Sequence, residues 1–166
     1  VFQGQYLDTA KSYDGVSLDT QIIASGYSFE TNYGVAVDGS IAIDGETYGV
    51  RVYINEKMDV SPGDTVEGRF SFRYTPPGGW NTSIYHSGKG IFLLAYQRGL
   101  VEHRESVALS MRHYPAVFAE EIKHRIQKIF PDDVVGIVQA LLLGDSENLD
   151  YATDTALKIS GIRHII

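Results

Sequence analysis

The hydrophobic period of this chain changes once along its length, and that change restricts the fold more than any other feature. Through the first hundred residues apolar side chains recur at every second position, as in Val66, Gly68, Phe70, Phe72 and Tyr74 against Arg69 and Arg73. From Val107 onward they recur at spacings of three and four: Val107, Met111, Tyr114, Phe118, Ile122, Ile126, Ile129. Side chains alternate between the two faces of a strand but return to one face of a helix every 3.6 residues, so the first pattern reads as strands and the second as helix. The switch falls at about Gly99 to Glu105. It divides the chain into a β part, residues 1–100, and a helical part, residues 101–166.

Within the β part the period and its breakers predict five principal strands, at 3–11, 16–25, 48–55, 65–75 and 90–98, with residues 33–43 as an inserted hairpin. Ser12 to Gly15, Asp38-Gly39 and Asp44-Gly45 read as turns, because glycine accepts the positive φ of tight connections. Several short strands joined by Gly-rich turns, with Gly68 inside one of them, suit a small barrel more than a flat sandwich. The predicted class is therefore mainly β, an OB-fold (a five-stranded Greek-key barrel) followed by a helical tail. Thr75 to Lys89, headed by Pro76-Pro77-Gly78-Gly79, becomes the loop between the fourth and fifth strands, which is one of that fold's usual ligand-binding positions. In the tail, the first helix is expected to be interrupted at Pro115. A second starts at Pro131 with Asp132 and Asp133 at its positive end and stops at Gly144, and a third runs from about Asp150 to Ile159.

Charge singles out one stretch. Residues 1–67 carry three Lys/Arg against eleven Asp/Glu, whereas Arg69 to Arg98 holds four basic residues, no acidic ones and seven aromatics. Cations beside aromatics are what single-stranded nucleic acid requires, the cations following phosphates and the rings stacking on bases. The formal net charge of −7 argues against a protein that grips nucleic acid with its entire surface, leaving a local strip as the possibility. With no cysteine, a disulfide, a zinc-thiolate site and a thiol nucleophile are all excluded. The five histidines form no HxH or HExxH pattern, and no P-loop, Rossmann glycine pattern or nucleophile elbow occurs, so no metal, cofactor or catalytic role is expected. Val1 to Ala10 lacks the basic start and apolar core of a signal peptide. The longest nearly uninterrupted apolar run, Val134 to Leu143, falls short of the roughly 20 residues that cross a bilayer.

In the tail, Phe130-Pro131, VQALLLGDSENLD (Val138 to Asp150) and ALKISGIRHII (Ala156 to Ile166) resemble the ComEC-type competence proteins, polytopic channels that carry transforming DNA across the bacterial cytoplasmic membrane. The family's ALLLGD segment corresponds to Ala140 to Asp145, its helix-ending glycine to Gly161 and its histidine to His164. Upstream, Gly63-Asp64 opening a strand, the Pro/Gly-rich loop and the Gly-Ile-Phe strand at Gly90 to Phe92 are similar to the family's soluble N-terminal domain. The resemblance covers roughly residues 48–166, stops short of the family's transmembrane helices and β-lactamase-like domain, and leaves 26–47 as an insertion. It implies a non-enzymatic module on the extracytoplasmic face of the membrane that engages incoming DNA. The implied partners are single-stranded DNA, the transmembrane part of the same protein, other competence proteins, and the membrane surface through the C-terminal helices. The rival expectation is a structural or protein-interaction module capping the channel mouth.

The candidate nucleic-acid-binding set is Arg69, Arg73, Lys89 and Arg98 for phosphates, Trp80 and Tyr85 on the loop for stacking, and Tyr74 at the end of its strand. Phe70, Phe72, Phe92 and Tyr96 are expected to fill the barrel instead, as alternation predicts.

Overall fold

A computed structural model describes residues 2–77, 86–108, 110–144, 152, 153, 155 and 156. The chain divides into two compact units, residues 1–116 and 117–166. The first unit contains a helix, Phe2–Ser12 (α1), and the strands Ser17–Ala24 (β1), Phe29–Thr31 (β2), Gly34–Ile43 (β3), Glu46–Ile54 (β4), Thr65–Tyr74 (β5) and Ile91–Arg104 (β6). The sheet order is β1-β5-β6-β4-β3-β2, and pairing of Ile22–Ala24 with Gly39–Ile41 joins β1 to β3. Five strands thus close into a barrel in which every pairing is antiparallel except β4 with β6. This is a mixed-sheet, OB-fold-like barrel, the class the sequence predicts, followed by helices.

The barrel closes because each strand has one apolar side. Ile22 and Ala24 of β1, Val37 and Ile41 of β3, Tyr48, Val50, Val52 and Ile54 of β4, Val66, Phe70 and Phe72 of β5, and Leu93 and Ala95 of β6 are all within 1 % of complete burial. Each large aliphatic or aromatic side chain in that set contributes roughly 1.5–3 kcal/mol by leaving water. The β3–β4 connection is the two-residue turn Asp44-Gly45, both with positive φ (52° and 82°), whose twist matches a tight hairpin.

Three expectations about the strands are corrected. Residues 3–11 form helix α1 rather than a strand. Ala10 of this helix is fully buried in the barrel core, and Tyr13, just past the helix end, packs against the same core. Residues 33–43 are no inserted hairpin: they form β3, which pairs through nine positions with β4 and supplies the barrel strand that 3–11 does not. Asp38-Gly39 accordingly is no turn but the middle of a strand. Gly39 lacks a side chain where β1 crosses closely, and a Cβ there would sit 2.6 Å from the Ile23 carbonyl oxygen. Finally, β6 runs past Gly99 to Arg104, because Val101 to Arg104 continue to pair with Thr65 to Gly68.

Beyond the barrel, the helix Tyr114–Ile129 (α2) follows a short 3-10 turn at Met111–His113. Pro115 lies in its first turn, where a missing N–H costs nothing, so α2 is continuous rather than interrupted, and Val107 and Met111 lie outside it. Pro131 precedes Asp132–Leu143 (α3), and Gly144 ends it in the left-handed conformation (φ 66°) with its N–H bonded to the Ala140 carbonyl. The expected third tail helix falls mostly outside the described residues. Among the described residues no helix is long and apolar enough to cross a membrane.

Candidate nucleic-acid interface

The same alternation that fills the barrel sets its outer surface. In β4, Tyr48, Val50, Val52 and Ile54 point inward, so Gly49, Arg51 and Tyr53 point outward. In β6, Leu93 and Ala95 point inward and Leu94 and Tyr96 outward. The parallel register places Tyr53 opposite Tyr96. Their rings stack with centroids 5.0 Å apart and planes 8° from parallel. On either side of this pair the same row continues through Ala36 to Phe29 and through Ser71 to Ser17.

One row away, Asp38, Arg51, Leu94 and Arg73 stand side by side on β3, β4, β6 and β5. Arg51 donates to both Asp38 oxygens, Nε to Oδ1 at 2.6 Å and Nη2 to Oδ2 at 2.8 Å. Its guanidinium carbon lies 4.9 Å from the Phe29 ring centre, a cation–π contact. Although on the outside of the barrel, the Arg51 side chain is only 8 % exposed, because Phe29 and Asp38 cover it. Burial raises the Tyr53 phenol above its ordinary value, opposed by the Arg51 guanidinium beside it. Lys89, two residues before β6, places Nζ 3.4 Å from Asp38 Oδ2. Two cations near the tyrosine pair, Arg51 and Lys89, therefore meet a single carboxylate.

The sequence-predicted residues divide as follows. Arg73 is exposed on the outer face of β5, in the row next to the tyrosines. Arg69, four residues earlier on the same strand, opposes Asp19 of β1 at 3.8 Å, an exposed pair that contributes little. Arg98 is exposed where β6 has extra residues opposite Arg69, since Gln97 pairs with Phe70 and Val101 with Gly68. Neither Arg73 nor Arg98 has an ion-pair partner among the described residues. Tyr74 turns inward and packs on the barrel core, and burial, reinforced by Asp8, raises its phenol. Trp80 and Tyr85 lie outside the described residues.

Of the aromatics expected to fill the barrel, Phe70 and Phe72 do so, at 0 % and 1 % exposure, and Phe92 packs partly against the core. Tyr96 does not: it stands outside, in the stack with Tyr53. Sequence reading missed Tyr53, Arg51, Asp38 and Phe29. The outward orientation of Tyr53 was available from alternation with Val50, Val52 and Ile54, but Tyr96 lies in the unbroken apolar run Ile91 to Tyr96, which shows no alternation, and the pairing of the two required the β4–β6 register, which joins strands 38 residues apart in sequence, as from Tyr53 to Ile91.

At the far end of the same strands the surface is mixed, with Arg104 bridging Glu67 at 3.0 Å and Glu102 at 3.6 Å. Among the described residues no group of His, Asp or Glu could hold a metal ion. No protein-family model, curated protein or solved structure matches the chain.

Proposed function

We propose that the barrel binds single-stranded nucleic acid across its outer face, with bases stacking on Tyr53 and Tyr96 and phosphates following Arg73, Arg98 and Arg69. The observation that carries this reading is the stacked tyrosine pair standing outside the core beside exposed arginines. Aromatic platforms contribute roughly 1–3 kcal/mol per stacked base and tolerate any sequence, while flanking cations supply a salt-sensitive term. The OB-fold-like topology supports it further, since strands equivalent to β3 and β4 form that fold's usual binding face. Taken with the ComEC-type resemblance of the tail, the module belongs on the extracytoplasmic face of the bacterial cytoplasmic membrane, where it passes transforming DNA to a channel and its C-terminal helices lead the chain to the bilayer.

A fluorescence-anisotropy titration of labelled oligothymidylate at several salt concentrations tests this. Three phosphate contacts give a slope of log K against log salt of about −2, from roughly 0.7 per contact on a single strand. Tyr53→Ala and Tyr96→Ala each weaken binding by about tenfold, and Arg73→Gln makes the slope shallower. Binding that ignores salt, or no binding at millimolar DNA, would reject the proposal. One observation favours a second reading, a protein-interaction module at the channel mouth: Asp38 and Asp19 already neutralise three of the cations. On that reading the titration stays flat at every salt concentration.

A further inference from the structure

The two sides of the tyrosine stack differ. Tyr53 and Tyr96 sit on neighbouring strands, and their ring centroids are 5.0 Å apart, close to the roughly 4.8 Å between strands, so both rings stand upright with their planes across the row. Each ring therefore turns one face to its partner and the other along the row. On the Tyr53 side the row is filled, because Ala36 is fully buried and Phe29 beyond it carries the Arg51 guanidinium. On the Tyr96 side it is open: the next two positions are serines, Ser71 half-buried on β5 and Ser17 exposed on β1. The result is a ledge floored by two small hydroxyl side chains, with the Tyr96 ring as its wall.

Cations stand at both ends of this ledge. Arg73 lies two residues beyond Ser71 on the outer face of β5, about 7 Å along the strand. Arg98 lies two residues beyond Tyr96 on β6, and because the two strands are antiparallel it stands at the opposite end. Both are exposed. An aromatic wall bracketed by two arginines is complementary to a nucleotide, which carries a flat base between two phosphates. The serine hydroxyls both donate and accept, so the floor suits the edge of any base.

We propose that one base of the bound strand stacks on the free face of Tyr96, above Ser71, with its flanking phosphates at Arg73 and Arg98, so that the strand runs along β5. The Tyr53 ring behind holds Tyr96 upright, and the loss of either tyrosine is felt by that base. Ser71 is the residue whose small size keeps the place open. The inference rests on the strand-binding reading above and adds to it the position of one base and the course of the strand.

The chain has no cysteine, so Ser71→Cys supplies a single thiol on the ledge. With oligothymidylate at about ten times its Kd, mass action leaves roughly a tenth of the protein free, and alkylation of that thiol by iodoacetamide is expected to slow about tenfold. A thiol placed by Ala42→Cys, exposed near the end of β3, should keep its rate. Ser71→Tyr puts a ring where the base would lie and should weaken oligothymidylate binding about tenfold, with the salt slope unchanged because the arginines remain. Should Ser71→Tyr fail to fold, the thiol measurement decides. A thiol at 71 alkylated equally fast with oligothymidylate bound, or a folded Ser71→Tyr of unchanged affinity, overturns the ledge and leaves strand binding standing. Failure of the unmodified protein to bind oligothymidylate overturns the strand-binding reading and this inference with it.

Discussion

Replacing Asp38 by alanine isolates the interaction that organises the outer face. The Arg51 side chain is 8 % exposed and donates two hydrogen bonds, at 2.6 and 2.8 Å, to that one carboxylate. Removing one member of a buried pair costs about 3–5 kcal/mol, because the remaining charge stays out of water with its ion pair broken. Here the Phe29 ring at 4.9 Å still stabilises the guanidinium, so the lower figure, about 3 kcal/mol, is expected. For a unit of 116 residues, about 4 °C per kcal/mol gives a Tm lowered by about 12 °C. Replacing both members with apolar residues of similar size, Asp38→Leu with Arg51→Met, should recover most of the loss, since no buried charge remains. Urea unfolding followed by circular dichroism, with parallel thermal melts, measures all three variants. A single variant within about 0.5 kcal/mol of wild type, or a double variant no more stable than the single, refutes the reasoning.

Further consequences can be checked with the same assays. Phe72→Ala removes a side chain that is 1 % exposed and should cost about 3–5 kcal/mol, whereas Tyr96→Ala, outside the core, should cost no more than about 1.5 kcal/mol while weakening DNA binding. Equal losses of stability would place Tyr96 in the core after all. Asp64 is buried, which by itself raises its carboxyl pKa, yet N–H donation from Ser106 and Ser61 at 2.8 and 2.9 Å and contact with His103 at 2.8 Å outweigh burial and hold it below the ordinary carboxylate value. A depressed carboxyl pKa stabilises the fold above the unfolded value of about 4 and loses that contribution as pH falls through the folded value. Asp64→Asn should therefore be less stable than wild type at pH 7, with the gap in Tm narrowing as the pH is lowered toward 3. A gap that stays constant with pH would rule out the charged carboxylate as the cause.

The class of the fold and most of its staves were legible because they depend on side-chain period and turn chemistry, both local properties. The strands at 16–25, 48–55 and 65–75, the Asp44-Gly45 turn and the Pro131 and Gly144 limits of α3 all appear close to where residue type places them. Local signals misled near the N-terminus and where a glycine has another use. Residues 3–11 read as continuing the strand period of the rest of the β part, whereas they form a helix whose Ala10 is buried in the barrel core. Gly39 imitates a turn but serves the close crossing of β1 over β3. Exposure of Arg73 follows from its own position in an alternating strand, and so does the outward orientation of Tyr53, whereas the unbroken apolar run Ile91 to Tyr96 left the orientation of Tyr96 to the tertiary structure. The meeting of the two tyrosines does not follow from local position, because a parallel β4–β6 pairing is set by how the whole barrel closes, and only that closure stacks Tyr53 on Tyr96 and brings Lys89 to the Asp38–Arg51 pair of the β3–β4 hairpin. Local sequence determined which residues could face solvent. Long-range strand pairing, stabilised by burial of the shared core, decided which of them stand together.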